Sequence, residues 1–158
     1  MDKLLRLLSE NSAYTTSELS MLLGEDEASV KKRIKDYEKQ GIIRGYQAAI
    51  NWEVVQDSGV TAYIELKVTP QRQTGFDEIA ERIMNFEEVS SLHLMAGTYD
   101  LGVTVKGDTI QDVSSFVARK LSTLDGILST ATHFILKRYK DDGVILSDSA
   151  KDERCMQF

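Results

Sequence analysis

The sequence predicts an α+β chain in two parts, three compact helices followed by one antiparallel sheet covered by two helices. Three observations carry this. Apolar residues recur at helical spacing three times before Gly41, the pattern beyond Val60 alternates extended and helical stretches, and charge is distributed unevenly. Residues 1–50 hold 8 acidic and 8 basic side chains, so the net charge of −6 falls entirely on residues 51–158.

At 158 residues, with 42% hydrophobic and 28% charged side chains, one proline and ten glycines, the chain can bury a core and is neither collagenous nor low-complexity. No apolar run reaches the roughly 18 residues of a spanning helix. The first residues lack a signal peptide's apolar core and cleavage site, so a cytoplasmic protein with no membrane partner is expected. The single cysteine, Cys155, excludes an intrachain disulfide and a cysteine-rich zinc site and reads as a free thiol. No cofactor and no metal are expected.

Leu4, Leu5, Leu7 and Leu8 follow Asp2 at helical spacing and meet the stop signal Asn11-Ser12, which predicts a short first helix. A second opens at the capping box Thr15-x-x-Glu18, presents Leu19, Leu22 and Leu23 as its apolar face, and closes at Gly24. Asp26 caps a third that runs to about Gln40. Val30, Ile34 and Tyr37 form its buried stripe, and Gly41 terminates it. Ile42 to Ile50 favours extended chain, and Asn51 to Gly59 reads as a connector.

Beyond the connector, extended stretches are expected over Val60–Thr69, Val89–Met95, Tyr99–Lys106 and Ile127–Tyr139, with helices over Gly75–Phe86 and Thr109–Leu124. Ile79, Ile83 and Phe86 line one side of the first of these helices; Val113, Phe116, Val117 and Leu121 line the second. The β-α-β-β-α-β order is that of a ferredoxin-like sandwich, in which one sheet face carries both helices and the other stays open. The expected divisions are a winged helix-turn-helix over 1–50, a linker over 51–59, a ferredoxin-like domain over 60–140 and a C-terminal extension over 141–158.

At 100° per residue, Ala28, Lys32, Lys35 and Lys39 lie opposite the buried stripe of the third helix, flanked by Ser29 and Lys31. A recognition helix needs this division, one face packed on its neighbour and the other entering the major groove. Ser29 and Lys32 are then expected at base edges, Lys31 and Lys35 at phosphates, and Arg44 at phosphate from the ribbon. On an isolated helix the same lysines would be an ordinary solvated face; the three-helix context favours DNA. Glu25, Asp26 and Glu27 stand at the start of this helix. Acids suit the positive helix end, but Glu25 and Glu27 are expected to weaken nonspecific DNA affinity.

Leu19–Gly24 through Val30–Ile34, and then Gly41–Asn51, resemble the helix-turn-helix and following strand of the Lrp/AsnC family, the leucine-responsive and feast/famine transcription regulators of bacteria and archaea. Gly97-Thr98-Tyr99-Asp100-Leu101, Leu124-Asp125-Gly126-Ile127 and Thr130-Ala131-Thr132 resemble its effector-sensing domain. The likeness spans roughly residues 1 to 140. Glu25 stands where the family often has a hydrophobic residue, and Asp26 where it has a serine or similar cap. The resemblance implies a sequence-specific regulator that binds pseudo-palindromic double-stranded DNA as a homodimer, often assembled further into an octamer. It also implies a small-molecule effector, commonly an amino acid, near Gly97, Thr98, Tyr99 and Asp100.

That chemistry is coherent, since Asp100 suits an ammonium and the Thr130 and Thr132 hydroxyls share one strand face at i, i+2. The same residues also make an ordinary hairpin, with Gly97 turning, Asp100 capping and the threonines filling a strand. Two other classes compete. Siroheme decarboxylases resemble the family in architecture and use histidine near a tetrapyrrole, for which this chain offers only His93 and His133. No nucleophile–base pair, HExxH, P-loop or GxGxxG accompanies them, so no enzyme activity is expected. In the third class the lysine face meets an acidic protein instead of DNA.

Overall fold

The computed structural model describes residues 2–56, 58–70 and 75–146. The chain divides into two compact units, one comprising the stretch to Ile50 with the chain from Lys140, the other Asn51–Tyr139.

The helical unit contains α1 (Lys3–Glu10), α2 (Thr16–Leu23) and α3 (Glu27–Lys39). Asp2 caps α1 by accepting from the Leu5 amide, Thr15 and Glu18 complete a reciprocal capping box on α2, and Asp26 accepts from the amides of Ala28 and Ser29. Gly24 closes α2 at φ +69°, where a side chain would be strained. Leu4, Leu19 and Val30, one from each helix, are fully buried, with Leu7, Leu8, Tyr14, Leu23, Ile34 and Tyr37 packed around them. Leu22 is exposed, contrary to expectation, because an eight-residue helix meets its neighbours through Leu19 and Leu23 at i, i+4.

So small a core is supplemented by an ionic clasp. Arg33 Nη1 donates to both carboxylate oxygens of Glu25 at 2.6 and 2.7 Å, and Nη2 donates to Asp2 Oδ2 at 2.8 Å. The Tyr37 hydroxyl donates to the same Asp2 oxygen at 2.9 Å. One guanidinium thereby joins the cap of α1, the α2–α3 turn and α3. The Leu5 amide, followed by the Tyr37 hydroxyl and Arg33, holds the Asp2 carboxyl below its ordinary value despite some burial. The hydrogen bond to Glu25 is the main cause that pushes the Arg33 guanidinium up.

After α3 the amides of Ile42 and Ile43 both fold back onto the Tyr37 carbonyl. Residues 44–50 join no sheet among the described residues. A wing strand needs a ladder partner. The two strands nearest in kind, β5 (Lys140–Asp141) and β6 (Val144–Ile145), pair only with each other. Their turn places Asp142 at φ +43° and Gly143 at φ +85°. This hairpin lies inside the expected extension, and its signal was the Asp142-Gly143 pair. Residues 147–158, Cys155 included, lie outside the described residues.

The other unit is the expected sandwich. β1 (Val60–Val68), β2 (Val89–Leu94), β3 (Leu101–Gly107) and β4 (Ile127–Phe134) form an antiparallel sheet in the order β2-β3-β1-β4. α4 (Asp77–Met84) and α5 (Ile110–Phe116) supply Ile79, Ile83, Val113 and Phe116 to the core. The sheet supplies Ala62, Ile64, Leu66, Leu101, Val103 and Val105, from alternate positions of β1 and β3.

Two boundaries differ from expectation. β4 stops at Phe134 rather than Tyr139, because β1 begins at Val60 and its last bond to this strand is Ile135 N to Thr61 O. The second helix widens into a π turn over Val117–Leu121, with Ser122 N reaching Val117 O, and this keeps Val117 and Leu121 buried but ends the helix early.

The opposite sheet face carries Tyr63, Glu65, Thr104, His93 and His133. Gly102 lies beneath Tyr63, and a Cβ on Gly102 would stand 2.0 Å from the Tyr63 hydroxyl oxygen. A strand glycine is used here for close approach.

Two outcomes are expected. Gly102→Ala lowers stability by about 1–3 kcal/mol, and by much less in a Tyr63→Leu background. Urea unfolding of the single and double variants measures this, and equal costs in both backgrounds would refute the contact. Asp2→Ala costs about 0.5–2 kcal/mol near neutral pH through loss of the cap and clasp. A carboxyl whose pKa is lowered on folding stabilises above its unfolded value of 3.8 and ceases to do so as pH falls through the folded value. The gap between wild type and variant in thermal melts therefore narrows in acid; a gap that stays constant would remove Asp2 from the clasp.

Candidate DNA-facing helix and effector turn

On α3, Ser29, Lys31, Lys32, Lys35 and Lys39 are exposed while Val30, on the other side, is fully buried. Lys31, Lys32 and Lys35 form no ion pair with any described residue, so three ammonium groups project from the first turns of the helix. Arg33, the remaining cation of this stretch, is held in the clasp. Arg44 lies elsewhere. Its guanidinium sits over Gly41, where an added Cβ would meet Arg44 Cζ at 3.2 Å, about 15 Å along the helix from Lys31.

The acids at the start of α3 are not loose negative charges. Glu25 is ion-paired with Arg33, and Glu27 Oε1 accepts from the Thr16 hydroxyl at 2.7 Å. Spacing gave no sign of this, because Arg33 and Asp2 are 31 residues apart in sequence.

The candidate effector turn connects β2 to β3. The Asp100 amide donates to Leu66 O at 2.9 Å, its carbonyl accepts from the Met95 amide at 2.7 Å, and its Oδ2 accepts from the Val68 amide at 2.8 Å. Asp100 thus locks the turn onto the end of β1 and keeps Oδ1 without a partner among the described residues. Tyr99 reaches the open sheet face. Its hydroxyl lies 2.9 Å from that of Tyr63, with the rings edge to face at 6.3 Å. The bond to Tyr99, with burial second, pushes the Tyr63 hydroxyl up to about 12.

Gly97 and Thr98 are exposed in the turn, and a Cβ on Gly97 would meet nothing within 4 Å. Thr130 and Thr132 are not brought to the turn within one chain. They stand opposite Leu66 and Ile64 in register, on the helix-bearing side of edge strand β4, whereas Tyr63 and Tyr99 meet on the other side. Sequence reasoning missed Tyr63, whose only trace was a glycine inside a strand at position 102.

His93 and His133 occupy the two opposite edge strands, both exposed, with His133 Nε2 3.5 Å from Glu65 Oε1. Two histidines so separated do not converge on one ligand in the chain. Among the described residues no group of three or more His, Cys, Asp or Glu is placed to hold a metal ion. No helix among them is long and apolar enough to cross a membrane.

Residues 61–145 match the Lrp/AsnC ligand binding domain. The chain is 46% identical over 153 residues to the uncharacterised HTH-type transcriptional regulator YugG of Bacillus subtilis, covering 96% of this chain and 92% of that protein. It is 29% identical to the HTH-type transcriptional regulator LrpA of Pyrococcus abyssi, over 87% and 94% of the two chains. Among solved structures, a transcriptional regulator of Neisseria meningitidis in complex with L-methionine superposes with a TM-score of 0.71 at 26% identity, covering 89% of this chain and 93% of that one. A feast or famine regulatory protein of Mycobacterium tuberculosis complexed with L-methionine gives 0.71 at 25% identity, over 91% and 95%. A helix-turn-helix followed by a ferredoxin-like sandwich, matched in sequence along nearly the whole chain, places this protein in the Lrp/AsnC family of ligand-responsive transcription regulators.

Proposed function

We propose that the protein is a homodimeric regulator that reads a pseudo-palindromic operator with α3 and changes its DNA affinity when an amino acid binds at the Gly97–Asp100 turn. The observation that carries the DNA half is the division of α3, with Lys31, Lys32 and Lys35 exposed and unpaired on one side while Val30 and Arg33 fasten the other. Ser29 and Lys32 read base edges, and Lys31 and Lys35 neutralise phosphate. Arg44 contributes a phosphate contact beyond the far end of the helix. Two-fold symmetry sets the half-sites one helical turn, about 34–36 Å, or a multiple apart. Further assembly to an octamer would repeat this spacing along the DNA.

The effector half is supported by the L-methionine complexes of two relatives and by the carboxylate chemistry of the turn. Asp100 Oδ1 receives the ligand's ammonium while Oδ2 stays on the Val68 amide. Gly97 and Thr98 offer amides and a hydroxyl to the ligand's carboxylate. Because Thr130 and Thr132 face the other side of the sheet, they contribute through a neighbouring subunit or not at all.

Fluorescence anisotropy with DNA from upstream of the protein's own gene and a scrambled control, across a salt series with and without L-methionine, tests the reading. Salt-sensitive preference for the native segment is expected. Lys35→Ala lowers the salt slope by about 1, whereas Lys32→Ala relaxes preference by about 1–3 kcal/mol. Asp100→Asn keeps an acceptor for Val68, so it leaves the melting temperature nearly unchanged while weakening the amino-acid response about tenfold. Absence of DNA binding in every condition would end the regulator reading; an intact response in Asp100→Asn would end the effector assignment alone.

A further inference from the structure

The two ends of the turn between β2 and β3 are fastened through the backbone, Met95 N donating to Asp100 O at 2.7 Å and Asp100 N to Leu66 O at 2.9 Å. Between those bonds, residues 96–99 make one hydrogen bond with the described residues, the 2.9 Å contact between the hydroxyls of Tyr99 and Tyr63. We infer that Tyr63 is a positioning residue of this turn: its hydroxyl sets where Tyr99 stands, and through Tyr99 the conformation in which the turn meets its ligand. This role rests on the reading of the turn as an amino-acid site and extends that site to a strand 36 residues away in sequence.

The sheet is arranged to allow this reach. Tyr63 stands opposite Thr104 in register, whereas Tyr99 lies before β3 begins at Leu101. A phenol directed straight across the ladder would not meet Tyr99; it must lie along β3, over the diagonal position two residues from its register partner. That position is Gly102. A Cβ there would stand 2.0 Å from the Tyr63 hydroxyl oxygen and 2.8 Å from Cζ, so only glycine leaves the path clear. Gly102 is buried although it lies opposite Glu65 on the open face, because the phenol covers it. The rings of Tyr63 and Tyr99 then meet edge to face, with centroids 6.3 Å apart and planes at 73°.

Control runs from the strand to the turn. β1 is paired on both sides, so Tyr63 has a fixed base, while Ala96, Gly97 and Thr98 are exposed and carry no tether of their own among the described residues. Tyr99 is followed directly by Asp100, the residue assigned to the ligand's ammonium. A shift of Tyr99 is therefore passed to that carboxylate. A turn already held in its binding conformation loses less freedom when the ligand arrives, so Tyr63 raises affinity without touching the ligand.

Tyr63→Phe keeps the ring and removes the hydroxyl alone. Calorimetric titration of the full-length protein with L-methionine is expected to show a dissociation constant raised about three- to tenfold, while the melting temperature falls by less than about 4 °C. Tyr99→Phe gives the same loss of affinity, and the double variant loses no more than either single one, since all three lack the same bond. A residue serving only the stability of the sheet would lower the melting temperature and leave methionine affinity as it was. Unchanged affinity in Tyr63→Phe, or losses that add in the double variant, would overturn the role. If the wild-type protein takes up no L-methionine, the amino-acid reading fails by itself and Tyr63 is judged by amide exchange. The Asp100 amide, bonded to Leu66, is then expected to exchange at least about threefold faster in Tyr63→Phe, and an unchanged rate overturns the role.

Discussion

The double pairing of β1 is the constraint on which the sheet unit depends. A strand hydrogen-bonded on both sides cannot shift register without turning every side chain to the other face. Its even-numbered residues, Ala62 to Val68, are therefore fixed in the core, and Thr61, Tyr63 and Glu65 are fixed on the open face. Each local feature is then referred to this strand. The Val68 amide and Leu66 carbonyl hold Asp100, and the Tyr63 hydroxyl meets Tyr99.

In the helical unit the equivalent constraint is ionic. Three fully buried aliphatic residues make a small core, so the orientation of α3 rests also on Arg33, which holds both the preceding turn and the first helix cap. The groups are only about one-third exposed, so solvent screens them less than an ordinary surface pair. Arg33 lies on the same helix as the exposed lysines but does different work. It sets the angle at which those lysines are presented.

Most of the architecture was legible because it rests on local rules. The capping box at Thr15, the Asp26 cap and the alternation along β1 are written within a few consecutive residues. What could not be read depends on pairs far apart in sequence. Arg33 with Asp2, Tyr63 with Tyr99 and Val68 with Asp100 are joined only by the fold. The same limit applied to Thr130 and Thr132: their i, i+2 spacing indicated one shared face, but only the register with Leu66 and Ile64 shows which face. The extended stretch expected over residues 42–50 forms no strand among the described residues for a related reason, since extended propensity does not supply a partner strand.

Formal charge also understates the positive field of α3. The acids of the helical unit are largely committed to local partners: Glu18 to the Thr15 amide, which lowers its pKa, Asp26 to the amides of Ala28 and Ser29, Glu38 to the Tyr46 hydroxyl at 2.9 Å, and Asp2 with Glu25 to Arg33. Charge engaged by hydrogen-bond donors is fixed in position and partly offset, whereas Lys31, Lys32 and Lys35 have no described counterion. Residues 1–50, of zero net charge, therefore present a cationic face on α3, while the net negative charge falls on residues 51–158. Glu25, Asp26 and Glu27 are thus also the groups that brace the helix exposing these lysines.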